Sequence, residues 1–97
     1  MKTHQMLEHL FLRDKPAKLL LKIKDGEGDK YASILSREVN CTYSHCVRIL
    51  QQMETLGLVK SSRNGRVKRI SLTSLGGDIA VALENLIRTL QRVKGGR

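Results

Sequence analysis

The chain has 97 residues, room for one hydrophobic core and too few for two. Eighteen Lys and Arg against nine Asp and Glu leave a charge of +9, which points to a polyanionic partner, either nucleic acid or an acidic surface. Short apolar runs exclude a transmembrane span, no leader-like stretch opens the chain, and two cysteines are too few for a disulfide framework. A soluble intracellular domain is expected.

In chain order, Met6, Leu7, Leu10 and Phe11 recur at helical spacing and predict a short first helix over 3–12, with a strand as the alternative because the segment is brief. Asp14 is a candidate N-cap, with the single proline, Pro16, in the first turn, where no amide donor is needed. Ala17, Leu19, Leu20, Leu21 and Ile23 then read as a second, largely buried helix, closed by the acidic, glycine-bearing loop over 25–29. Apolar positions at 31, 34, 35 and 39 suit a third helix of about two turns, broken by Asn40-Cys41-Thr42. Thr42 caps the next helix, which runs to about Leu56 with Cys46, Leu50 and Met53 on one face, and Gly57 supplies a left-handed stop.

Leu58-Val59-Lys60 predicts a short strand, Ser61 to Gly65 a turn, and Arg66 to Leu72 the return strand. Thr73 caps a long last helix that should reach about Val93. The expected class is mainly α with a small β-hairpin. Helix, turn and helix are followed at once by a basic hairpin.

Two stretches lack acids. None occurs between Glu38 and Glu54, so the exposed face of the fourth helix repels no phosphate. None occurs from Gly57 to Gly77, where Lys60, Arg63, Arg66, Lys68 and Arg69 fall on and beside the hairpin. An edge hairpin uses one or two such charges to block strand addition, but five exceed that need and form a footprint for a sugar–phosphate backbone or a narrow minor groove.

The segment from Tyr31 to Gly76 resembles the winged helix-turn-helix of small MarR/ArsR-type transcriptional regulators. The resemblance is carried by Ile34 to Val39, Thr42 to Arg48, Leu50 to Glu54, Leu56-Gly57-Leu58-Val59, the Arg63-Asn64-Gly65-Arg66 tip and the closing Leu72 to Gly76, all in order. It covers about half the chain. It implies a single domain with the helix-turn-helix over 31–56, the wing over 58–72 and a dimerisation helix over 74–93. It also implies a recognition helix lying in the major groove of double-stranded DNA.

On that reading Tyr43, Ser44, Val47, Arg48 and Gln51 share the exposed face, with His45 at its flank. Arg48 forks onto a guanine, Ser44 and Thr42 suit phosphate or base contacts, Val47 meets a thymine methyl, and Tyr43 reaches a phosphate. Arg63, Asn64, Arg66, Lys68 and Arg69 are the wing contacts.

Ile79, Leu83, Leu86, Leu90 and Val93 step by 4, 3, 4 and 3, a heptad seam too long for one small domain to cover. A homodimer on an inverted repeat is expected, with the first helix either covering part of the seam or joining the interface. Such a regulator, more readily a repressor than an activator, belongs in the cytoplasm at the nucleoid. Two other readings stay open: a winged helix used as a protein-interaction module in replication or transcription machinery, and a non-specific chromosome-coating protein.

No cofactor, metal or membrane partner is expected. Cys41 and Cys46, with His45 nearby, fall short of the four ligands of structural zinc and suit two small core residues better, although a thiol switch stays open. No nucleophile–base pattern, phosphate-binding loop or carboxylate cluster supports an enzyme.

Overall fold

The computed structural model describes residues 13–25, 30–65 and 67–92. The expected first helix over 3–12, most of the acidic loop, Arg66 and Val93 lie outside the described residues. Within them the order is α1 (Asp14–Lys24), α2 (Ala32–Glu38), α3 (Tyr43–Thr55), β1 (Val59–Asn64), β2 (Val67–Leu72) and α4 (Ser74–Gln91).

Helix α1 buries Pro16, Leu19, Leu20 and Ile23, whereas Ala17 and Leu21 are only half-buried. Its start corrects the expected cap. Arg13, extended at φ −114° and ψ 147°, is the N-cap, with no side-chain hydrogen bond, and Asp14 sits in the first turn. Pro16 permits this because its missing amide still falls among the unpaired donors of a helix start. The Asp14 carboxylate favours the positive helix end and lies 3.2 Å from Lys18 Nζ one turn on.

Helices α2 and α3 end in the same way. Asn40 holds φ +58°; its amide donates to the Arg37 carbonyl (3.2 Å) and that of Cys41 to Ser36 (2.9 Å). Gly57 holds φ +79°; its amide donates to Glu54 (3.0 Å) and that of Leu58 to Met53 (2.9 Å). Both are Schellman endings, which satisfy carbonyls that the last helical turn leaves open. The first fixes the compact turn into α3, where Thr42 Oγ1 accepts from the His45 amide at 3.2 Å, the cap expected from the sequence.

The hairpin differs from expectation at its tip. Strand β1 continues through residues assigned to a turn, so Asn64 pairs with Val67 and Gly65, at φ +70°, opens a tight connection. Positive φ at that place is what a two-residue hairpin turn requires. The sheet has two antiparallel strands, and the extended segment before α2 is tied to it by the Ile70 amide donating to the Lys30 carbonyl at 2.8 Å.

The core comprises Leu19, Leu20, Leu35, Cys46, Met53 and Leu58, all fully buried, with Ile23, Val39, Ile49, Leu50, Val59, Ile70 and Ala80 around them. Helix α4 enters it through a close approach. Thr73 Oγ1 accepts from the Gly76 amide (3.0 Å) and donates to the Gly57 carbonyl (2.6 Å), while the Thr73 amide donates to Leu58 (3.0 Å). A Cβ on Gly76 would stand 1.8 Å from the Leu58 carbonyl oxygen, so only glycine fits. Farther on, α4 packs on α1, and Lys24 and Glu84 join the two at 3.2 Å.

Candidate nucleic-acid interface

Helix α3 is amphipathic, and its inner stripe of Cys46, Ile49, Leu50 and Met53 orients the rest. Tyr43, Ser44, His45, Arg48 and Gln51 are exposed and Val47 is half-buried. Of the predicted recognition residues, Thr42 commits its oxygen to the cap and keeps its hydroxyl proton for another acceptor.

The structure divides this outer face between two flanks, making α3 a ridge between two clefts of similar size. Toward the wing, a cleft of about 390 Å³ is lined by Tyr31, Ser33, Tyr43, Val47, Gln51 and Glu54, with Arg63 and Lys68 on its far wall. Toward α1, a second cleft, also about 390 Å³, is lined by His45, Arg48 and Gln52 from α3 and by Arg13, Asp14 and Lys15 opposite. Arg48 and His45 therefore belong to the α1 side of the ridge, and Tyr43, Val47 and Gln51 to the wing side.

Side chains alternate across the two faces of the hairpin. Register places Val59, Ser61 and Arg63 on one face with Lys68, Ile70 and Leu72, and Lys60 and Ser62 on the other with Arg69 and Ser71. The first row starts in the core, at Val59 and Ile70, and ends outside it at Arg63 and Lys68, both exposed, over the α3 cleft. The predicted wing cations thus do not form one patch: Arg63 and Lys68 face α3, while Lys60 and Arg69 lie on the reverse face. Asn64 lies at the tip by its backbone, and Arg66 is outside the described residues.

Arg63 and Lys68 are direct cross-strand partners. Like charges in that relation destabilise a hairpin. Glu54 brings a carboxylate into this cleft. Ser61 Oγ donates to Glu54 Oε2 at 3.1 Å, fastening the root of the wing to the last turn of α3. Its sequence signal was only that Glu54 ends the acid-free stretch.

Cys46 is fully buried, with Sγ donating to the Ala32 carbonyl at 3.7 Å, and Cys41 is half-buried against the same core. Burial, helped by neighbouring Cys41, pushes the Cys46 thiol from its ordinary value near 9 up to about 12. Such a thiol stays protonated and unreactive. Among the described residues no group of three His, Cys, Asp or Glu is placed to hold a metal, and no helix is long and apolar enough to cross a membrane.

No family model and no curated protein matches the sequence. Solved structures do match. The crystal structure of AF1382 from Archaeoglobus fulgidus superposes with a TM-score of 0.80 at 26% identity, over 90% of this chain and 99% of that one. The MarR family transcriptional regulator SPO1453 from Silicibacter pomeroyi gives 0.74 at 25% identity, over 92% of this chain and 66% of that one. The fold is that of MarR- and ArsR-type winged-helix regulators. A third winged helix, the homodimeric DNA-binding domain of Mb0332 from Mycobacterium bovis, described as a possible ArsR-family regulator, gives 0.70 at 13% identity over 97% of this chain and 84% of that one.

In this winged helix the expected dimer residues are of two kinds. Ile79 and Leu83 are half-buried against the chain's own core, an intramolecular packing that the heptad spacing did not separate from the rest. Leu86 and Leu90 are 51% and 57% exposed, with Ile87 beside them, and every residue from Asn85 to Arg92 is exposed. Among the described residues, α4 thus carries an exposed apolar stripe beyond Glu84.

Proposed function

We propose that this chain binds double-stranded DNA as a homodimer and regulates transcription, acting as a repressor by occupying an inverted repeat. Helix α3 enters the major groove, with Ser44, Val47, Arg48 and Gln51 toward base edges and Thr42, Tyr43 and His45 toward the backbone. The wing lies on the backbone or minor groove through Arg63 and Lys68, with Asn64 at its tip and Arg69 on its reverse face.

The observation that carries this reading is that the face of α3 from Tyr43 to Gln51, which carries no acid, meets Arg63 and Lys68 across one cleft, whose carboxylate, Glu54, accepts from Ser61. A protein-interaction module would expose an apolar patch there instead. The exposed apolar patch lies on α4, where Leu86 and Leu90 supply the seam for a second copy. Two-fold pairing through it sets the recognition helices about one DNA turn, roughly 34 Å, apart.

The test is selection and sequencing of random-sequence duplexes bound by the purified protein at two salt concentrations. An enriched inverted repeat with half-sites about ten base pairs apart is the expected result. Salt-sensitive binding without enrichment would instead identify a coating protein, and no binding at low salt would exclude DNA as the partner.

A further inference from the structure

An α-helix with its side chains is about 10–12 Å across and the major groove is about 12 Å wide, so a helix seated there has one phosphate strand along each flank. In this protein the wing flank carries Arg63 and Lys68. The other flank is closed by the segment entering α1. There Lys15 Nζ donates to the Val39 carbonyl at 2.9 Å, and the Asp14 carboxylate faces Lys18 at 3.2 Å. Both charges are thus held by neighbours. Arg13 is different: it is exposed, lines the cleft opposite His45 and Arg48, and its side chain has no ion pair or hydrogen bond among the described residues.

We infer that Arg13 is a DNA contact, binding a backbone phosphate on the strand across the major groove from the one met by Arg63 and Lys68. The inference rests on the proposed seating of α3 and extends it to a residue outside the helix-turn-helix and the wing. Its ligand is the phosphodiester backbone, common to every sequence, so Arg13 contributes affinity and register rather than base choice. It fixes how α3 rolls in the groove, because the ridge is then gripped from both sides. Arg48, which lines the same cleft, is held over the base edges by that grip.

The experiment compares the parent, Arg13→Ala and Arg13→Lys on the selected operator and on a scrambled duplex across a salt series. Arg13→Ala is expected to weaken both duplexes several-fold and in equal proportion, and to reduce the log–log salt slope by about 0.9, the share of one phosphate. Arg13→Lys is expected to recover most of the slope. An unchanged slope and affinity in Arg13→Ala overturns the inference, as does a loss confined to the operator, which would signal base readout. Failure of the parent to bind either duplex would instead bring down the DNA-binding reading itself. Because Arg13 is exposed, thermal unfolding of all three proteins is expected to coincide, which separates lost contact from lost fold.

Discussion

Asn40 shows how one side chain type decides a turn. At φ +58° an ordinary residue costs about 1–2 kcal/mol, and Asn and Gly tolerate the region best. Asn40→Ala is therefore expected to lower stability by about 1 kcal/mol, while Asn40→Gly holds or raises it, read by urea unfolding. Cys46 carries a second residue-scale prediction. Its thiol stays protonated in the fold up to about pH 12, while the unfolded chain ionises near 9. The unfolded state then binds fewer protons between those values, so this contribution is intact below pH 9 and declines as pH rises toward 12. The stability difference between the parent and Cys46→Ala is expected to shrink across that window. Below it, Cys46 should resist alkylation until the protein unfolds. Such features were partly legible. Gly57 announced its conformation because glycine is the usual stop, whereas Asn40 announced a break without saying which residue would turn left-handed. The Asp14 cap was misplaced because Asp serves equally as cap and as first-turn anion.

Among the elements, the wing and α4 depend on contacts distant in sequence. Gly76 packs against the Leu58 carbonyl, so Gly76→Ala is expected to destabilise by about 3 kcal/mol or more, visible as a large drop in Tm. Two adjacent glycines in a helix gave no hint that only Gly76 meets a backbone; Gly77 meets nothing within 4 Å. The hairpin supports a prediction in which stability and binding move oppositely. Arg63→Ala relieves the like-charge pair with Lys68, so the free protein should hold or gain up to about 0.5 kcal/mol while losing affinity for all DNA sequences alike. Arg48→Ala should instead relax sequence preference. The basic character of the hairpin was plain in the sequence. Its division between two faces was not, because the turn was expected over five residues and the strand in fact runs to the tip, which sets the parity of every side chain.

For the molecule as a whole, charge and the α4 stripe decide behaviour. About six neutralised phosphates give a log–log salt slope near −5, measurable by titration at several salt concentrations. Glu substitutions at Leu86 and Leu90 are expected to yield folded monomers in ultracentrifugation, because both side chains are exposed in the protomer and neither supports its core. A heptad seam was readable from spacing alone. Where that seam stops serving the chain and becomes free was not, since it depends on how far the domain reaches along α4: Ile79 and Leu83 lie inside that reach, Leu86 and Leu90 beyond it.

The row of side chains that begins at Val59 and Ile70 and ends at Arg63 and Lys68 ties folding to targeting by parity. Inserting one residue into one strand beyond the core would send that strand's cation to the reverse face while Ile70 stayed buried, giving a stable protein with a misdirected wing. Inserting one in each strand near the tip would likewise turn the outermost pair over. Two in each would restore the original aim and advance the charges by about 7 Å. Natural or engineered lengthening of this wing is therefore expected to proceed in matched pairs, with reach changing in steps and direction kept.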